Sequence, residues 1–219
     1  FSMIVMIDSI EVSSKQNLGL TSVYGLFAGL FYCANRLGNF AMEAVRDGVM
    51  ETADDSALFQ SWGSITVINP LEKIWNGYSD TRMGASMDSY LNGYNDPRLP
   101  VYFQPVTDGD NKGEYRGVAN GMPNPQQEDY KAMSSPNVQE KSTDSPLRWM
   151  MASEVAFLRA EGAMRGWTAE MGGTAEEFYN KGIELSFLEN GLSADAAARY
   201  AADETSKPTD FTDVSAANT

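Results

Sequence analysis

The chain has 219 residues, 42% of them hydrophobic, enough for one full domain core or an unequal pair of lobes. Its 30 acidic and 16 basic side chains give a formal charge of -14, which argues against nucleic acid and anionic lipid surfaces as partners. A single cysteine, Cys33, excludes an internal disulfide, and the absence of histidine removes Ser-His-Asp and Cys-His nucleophile systems and histidine-based zinc sites.

Phe1 to Val12 is apolar with short alternations that suit a strand or a helix stub equally. Leu20 to Ala34 is the most apolar segment, but Gly25 and Gly29 interrupt it and it falls short of the ~20 residues a bilayer requires, so it reads as a buried helix. Bulky Phe31 and Tyr32 ahead of Cys33 do not suit a lipoprotein cleavage site, and no signal peptide is visible. Asn39 to Arg46 has a short helical pattern that stops at Gly48.

Asp54 to Asn69 loses helical periodicity; Asn69-Pro70 is a turn signal, and Leu71 to Trp75 begins a further helix. Met83, Met87, Tyr90 and Leu91 fall at three-to-four spacing, predicting a helix from Met83 to Tyr94 that Gly93 ends. Asp96 to Pro146 holds seven of the nine prolines with many Gly, Asn and Ser residues. It should be loop and short strand, with Leu99 to Phe103 the best strand candidate. A segment of that length is too long for a simple linker, and Tyr102, Phe103, Tyr115 and Tyr130 favour an ordered one.

Ser145-Pro146 reads as an N-cap with proline at the first helical position, opening LRWMMASEVAFLRAEGAMRGW. Met151, Val155, Leu158 and Gly162 are expected on one face, Trp149 and Trp167 in the core, and Gly162, Ala163 and Gly166 where a neighbouring helix comes close. Gly172-Gly173 makes a turn, Thr174 and Glu177 form a capping box, and the following helix stops at Gly191. Ser193 caps a short alanine-rich helix through Ala202, and the residues from Thr205 read as a polar tail.

The segment from Arg82 to Arg116 interleaves aromatic rings with amides and carboxylates, the mixture that stacks on sugar faces and hydrogen-bonds hydroxyls. The candidate ligand-binding residues are Trp62, Trp75, Tyr78, Tyr90, Tyr94, Asn95, Tyr102 and Tyr115, set among Asn76, Asn92, Asp96 and Arg98. Asp96-Pro97-Arg98 is better read as a turn locked by its ion pair than as a functional charge pair. Asp108, Asp110, Asn111 and Glu114 miss the EF-hand spacing, so neither metal nor cofactor is expected. Glu154, Arg159 and Glu161 are explained by interhelical pairing or solvated faces.

Five strings carry a further signal in their order: RMGASMDSYLNGYNDPRLPVYF from Arg82, GEYRGVANG from Gly113, WMMASEVAFLRAEGAMRGW from Trp149, MGGTAEEFYNKGIELSF from Met171 and TSKPTDFTD from Thr205. Together they resemble the SusD/RagB family of bacterial outer-membrane lipoproteins, from about Asp47 to the end. The resemblance implies a mainly α-helical fold of tetratricopeptide-like helix pairs with a long loop-rich insertion. It also implies a surface-exposed, non-catalytic glycan-binding protein at the outer membrane that delivers oligosaccharide to a SusC-like TonB-dependent transporter.

The family's lipidated cysteine and its leader are not among these residues, nor is its usual C-terminal helical segment. The expectation is therefore an internal-to-C-terminal portion of a single SusD-like domain, held to the membrane only through an anchor outside this sequence. Within it, a helical part spans 18–50, a loop-rich ligand-binding segment 51–145, a helical hairpin 146–202 and a polar tail 203–219. Two rival readings stay open: a helical-repeat scaffold for protein partners, and a glycoside hydrolase working through a carboxylate pair.

Overall fold

The computed structural model describes residues 39–46, 48–59, 70–119, 121, 130–137 and 146–203. The chain divides into two compact units, Phe1–Asp47 and Gly48–Thr219. In the first, residues 39–44 are helical, as NFAMEAVR predicts, with an exposed Arg46–Glu43 pair at 3.7 Å. The expectations for Phe1 to Val12, Leu20 to Ala34 and the tail from Thr205 lie outside the described residues.

The second unit begins with a 3-10 turn, Ala53–Asp55, and strand β1, Ala57–Phe59. Helices α1 (Pro70–Tyr78), α2 (Ala85–Gly93) and the single turn α3 (Leu99–Tyr102) follow. Strand β2 (Leu147–Met150) then leads into α4 (Ala152–Met164), the short α5 (Thr168–Met171), α6 (Ala175–Glu189) and α7 (Ala194–Ala202). β1 and β2 pair antiparallel as a two-stranded ribbon, with Phe59 opposite Leu147 and a register irregularity between Ala57 and Leu58. The irregular middle is tied down by isolated bridges, Gly84 with Val118 and Phe103 with Pro136.

Helices α4 and α6 make the most extensive packing of the unit, and α7 packs back on α6. The close approach comes from small residues. A Cβ on Gly162 would stand 2.7 Å from the Met171 sulfur, and one on Gly182 would stand 2.7 Å from the Phe157 ring. Ala152, Ala156 and Leu185 form one core cluster; Ile183, Phe187 and Ala197 form a second. A third, Met83, Leu91 and Leu99, lies under the loop-rich segment, where Tyr102, Phe103 and Tyr115 pack on it.

The predicted helix ends hold closely in the last third. Gly172 takes φ 80°, the left-handed turn that glycine adopts without strain. Thr174 Oγ1 accepts from the Glu177 N–H at 3.3 Å, and Glu177 Oε2 accepts from the Thr174 N–H at 2.8 Å, closing the capping box. Ser193 caps α7 through the Ala196 N–H at 3.2 Å.

Four expectations are corrected. Leu99 to Phe103 is a helical turn rather than a strand: Asp96 Oδ1 accepts from the Arg98 N–H at 2.9 Å, Pro100 sits in the first turn, and the Phe103 N–H reaches Leu99 O at 3.0 Å. The helix expected from Pro146 starts only at Ala152, because Leu147–Met150 pairs with β1. Its first N–H groups are met from across the chain. Ser56 Oγ accepts from Ala152 at 3.0 Å and Glu189 Oε1 from Ser153 at 2.9 Å, a cap that no local sequence pattern announces.

The third correction concerns the buried face of α4. Leu158 is 53% exposed, and the buried stripe is Ala152, Val155, Ala156, Ala160 and Ala163 instead. Small residues win because α6 approaches too closely for a leucine. The fourth is Trp149, expected in the core, which is 78% exposed on the ribbon with Phe59 and Leu58 also exposed on β1. Trp167 is half-buried at the start of α5.

Candidate functional site

The lobe built from α1, α2, α3 and the strap 113–118 carries most of the sequence-predicted site residues. Its foundation is a backbone exchange: the Val118 N–H donates to Met83 O at 2.7 Å and the Ala85 N–H to Val118 O at 2.8 Å. Asp88 on α2 clamps the strap further, its Oδ2 accepting from the Gly117 N–H at 2.8 Å. Gly117 is required by space, since a Cβ there would lie 2.6 Å from the carbonyl oxygen of Gly84. Asn92 Nδ2 donates to Asp88 Oδ1 at 2.6 Å and to Tyr115 O at 3.0 Å, so its amide is consumed by the scaffold.

On this base α2 displays two rings. Tyr90 and Tyr94, one helical turn apart, are stacked with centroids 6.2 Å apart and planes 26° from parallel; they are 63% and 39% exposed. The helix ends in Asn95 at φ 49°, an exposed asparagine in the left-handed region that this residue tolerates better than most. Tyr78 ends α1 and is 75% exposed. Trp75, half-buried, lies beneath the Arg82 guanidinium at 5.3 Å, and Arg82 Nη1 donates to Ser79 O and Thr81 O at 2.9 Å each.

Two further candidates pack inward. Tyr102 and Tyr115 pack on Met83, Leu91 and Leu99, and the Tyr102 hydroxyl also accepts from Asn190 Nδ2 at 3.1 Å. Trp62 lies outside the described residues, and the Asn76 side chain is not described. The structure thus brings Tyr90 and Tyr94 together at the surface, and gathers Tyr102 and Tyr115 at a core.

Behind the ring pair stands an anchor that the turn reading of Asp96-Pro97-Arg98 foresees only in part. Asp96 is 5% exposed and grips Arg98 through both carboxylate oxygens, Oδ2 to Nη2 at 2.5 Å. Arg98 Nη1 donates to Ser186 Oγ on α6 at 2.8 Å, and its guanidinium lies 5.0 Å from the Phe187 ring and 5.7 Å from the Tyr200 ring. Burial opposes the Arg98 charge, yet the hydrogen bond and charge of Asp96 together outweigh it and raise its pKa. Burial also pushes the Tyr200 phenol up to about 12, helped by Asp96, and raises that of Tyr179, to which the neighbouring Tyr94 adds. Tyr179 on α6 is thus within electrostatic reach of Tyr94, and its ring packs edge-on against Phe157 with centroids 5.7 Å apart. Helical periodicity gives it no distinguishing mark in the sequence.

The charged turn 108–114 closes on itself: Asp108 Oδ1 accepts from the Gly109 N–H at 2.9 Å, and Glu114 pairs with Arg116 at 2.8 Å. Among the described residues, no three His, Cys, Asp or Glu side chains group to hold a metal, and no helix is long and apolar enough to cross a membrane. An open groove of about 760 Å³ runs between α6 and α7, lined by Asn180, Lys181, Glu184, Asp195 and alanines; it has no aromatic wall. The ring pair on α2 is the better candidate, because sugar faces need flat apolar partners that this groove lacks.

The family model described as "SusD-like: Susd and RagB outer membrane lipoprotein" matches residues 33–219. The chain belongs to the SusD/RagB family of outer-membrane lipoproteins. This SusD-like chain is 41% identical to a SusD-like protein from Bacteroides thetaiotaomicron, with a TM-score of 0.67 over 78% of this chain and 34% of that one. A SusD homologue from the same organism is 39% identical at TM-score 0.66, again over 78% and 34%. A chitin-binding SusD homologue from Flavobacterium johnsoniae is 40% identical at TM-score 0.62, over 73% of this chain and 31% of that one. No curated protein matches. The chain thus spans about a third of the length of the solved structures it resembles. Its mainly helical, SusD-like architecture agrees with the fold expected from the five strings.

Proposed function

We propose that this SusD-like chain helps to capture glycan at the outer surface of the outer membrane, without catalysing any reaction, for delivery to a SusC-like TonB-dependent transporter. Tyr90, Tyr94 and Asn95 are the contact residues, with Tyr78 as a further exposed ring; Trp75 supports from below. The observation that carries this reading is the exposed, stacked Tyr90–Tyr94 pair, held by α2 and backed by the Asp96–Arg98 anchor. A pre-set pair of rings lets stacking contribute without a large ordering cost on binding. The 40% identity to a chitin-binding homologue supports a saccharide ligand.

The test is affinity electrophoresis of the protein and its Tyr90→Ala and Tyr94→Ala variants in gels containing polysaccharides, with circular dichroism as the folding control. Loss of retardation with unchanged spectra supports the reading. Unchanged retardation would remove these rings from the site, and oligosaccharide products in a chromatographed digest would make the protein an enzyme.

One observation favours a protein contact elsewhere on the unit. Trp149, Phe59 and Leu58 leave apolar surface exposed on the β1–β2 ribbon. Capture of the transporter by the wild type but not by Trp149→Ser would support that contact.

A further inference from the structure

Resting on the glycan reading above, we infer that Asn95 sets which sugar the Tyr90–Tyr94 face prefers. Its carboxamide meets a donor and an acceptor held side by side on the ligand, supplied by two neighbouring hydroxyls or by an acetamido group. Helices α2, α4 and α6 end in the same pair of backbone bonds, one N–H reaching back three residues and the next reaching back five. At α4 these run from Gly166 to Ala163 O and from Trp167 to Gly162 O, 3.1 Å each. At α6 they run from Gly191 to Leu188 O at 3.0 Å and from Leu192 to Phe187 O at 2.9 Å. At α2 they run from Asn95 to Asn92 O at 3.1 Å and from Asp96 to Leu91 O at 2.8 Å. The left-handed position is glycine in the first two, at φ 89° and 76°, and Asn95 in the third, at φ 49°. Glycine takes this conformation with no Cβ penalty, so the backbone of α2 would be served as well or better by glycine.

Ser79, the other non-glycine residue at positive φ among the described residues, puts its side chain to structural use: its Oγ donates to Trp75 O at 3.0 Å. The amides beside the helix ends do the same, Asn92 binding Asp88 and Tyr115 O, and Asn190 binding the Tyr102 hydroxyl and Ser186 O. Asn95 differs from all three. It is exposed, its carboxamide makes no hydrogen bond among the described residues, and it directly follows Tyr94, the second ring of the stacked pair. The two kinds of group do different work on a sugar. A ring stacked on the apolar face of a pyranose gives affinity with little regard to the configuration of the hydroxyls. A carboxamide holds its donors and its acceptor a fixed distance apart, so a sugar whose polar groups do not match forfeits the paired bonds.

The experiment is titration calorimetry of the purified protein, Asn95→Gly and Tyr94→Ala, with thermal melts alongside. The probes are neutral oligosaccharides of equal length: gluco-, galacto- and manno-configured hexose chains and N-acetylglucosamine chains. The wild type should favour one series about tenfold. Asn95→Gly should melt at or above the wild-type temperature, yet lose about fivefold to tenfold on the favoured series alone, which levels the panel. Tyr94→Ala should weaken every series alike. A favoured N-acetylglucosamine series identifies the acetamido group as the partner of Asn95, and a favoured hexose series identifies neighbouring hydroxyls. A wild type without preference, unchanged binding by Asn95→Gly, or its equal weakening across the panel would overturn the inference and leave glycan capture intact. A lower melting temperature for Asn95→Gly would overturn it too, since the amide would then be holding the fold. Binding of no series would remove the glycan reading itself, and this inference with it.

Discussion

The guanidinium of Arg98 lies 5.0 Å from the ring centroid of Phe187 while its nitrogens hold Asp96, so one side chain joins the corner after α2 to the heart of the α6–α7 pair. Its side chain is 18% exposed and that of Asp96 3%, which places the pair where removing one partner leaves the other charge stranded. Arg98→Ala should cost roughly 3–5 kcal/mol in urea unfolding. A loss within about 0.5 kcal/mol would mean that water reaches the pair and that the anchor is cosmetic.

The tyrosines of the lobe should separate into two groups. Tyr102→Ala and Tyr115→Ala remove rings that pack on Met83, Leu91 and Leu99, and should destabilise by about 3 kcal/mol. Tyr90→Ala removes a ring that is 63% exposed and should stay within about 0.5 kcal/mol of the wild type while weakening glycan binding about fivefold. Equal melting losses in all three variants would contradict this division.

Gly117→Ala tests the strap. The added Cβ would meet the Gly84 carbonyl oxygen at 2.6 Å; the backbone fixes the position of the one and contains the other, so neither can rotate away. A loss of about 1–3 kcal/mol is expected, with glycan affinity falling as α2 shifts. A neutral outcome in thermal melts would show that the strap and α2 are not in this contact.

Alkaline titration addresses Tyr200. Burial raises its pKa from the ordinary 10 to about 12. Its neutral form is favoured in the fold, so its contribution is whole below pH 10 and is lost as pH climbs from 10 through about 12. Subtracting the phenolate absorbance of Tyr200→Phe from that of the wild type should leave one group titrating near pH 12; a midpoint near 10 would place the phenol in solvent.

Glu177 gives the acidic counterpart. The Thr174 backbone and hydroxyl hold its pKa below the ordinary 4.5, so its capping contribution is present above that value and is lost as pH falls through the folded pKa. Thr174→Ala should raise the Glu177 pKa in a carboxyl NMR titration, and an unmoved value would mean that the capping box does not form in solution.

Local signals in this sequence were legible wherever the cause was local. Thr174, Glu177 and Ser193 state their caps within three residues, and the Gly172-Gly173 turn follows from the only residue type that accepts φ 80° freely. The five strings carried the family and the helical architecture. Tyr90 and Tyr94 were nameable as rings beside amides, but nothing in the spacing separated them from Tyr102 and Tyr115, because exposure is decided by which face meets Met83 and Leu99. The start of α4 was misread for the same reason. Ser145-Pro146 has the composition of a helix start, while the donors and acceptors that fix the real one sit on Ser56 and Glu189. Arg98 was placed in a turn by its neighbours, and its partners Ser186 and Phe187 lie nearly ninety positions on.

Glu189 closes the last turn of α6 and at the same time receives the Ser153 N–H and hydroxyl at the first turn of α4. The two rods are thereby pinned at matched ends, so their lengths cannot drift independently. Adding or deleting a residue between Arg165 and Thr174 would slide one rod against the other, pulling the carboxylate out of reach. The Gly162–Met171 and Gly182–Phe157 contacts would fall out of step with it. Relatives that tolerate length changes should therefore carry them in the middle loops and spare this connection.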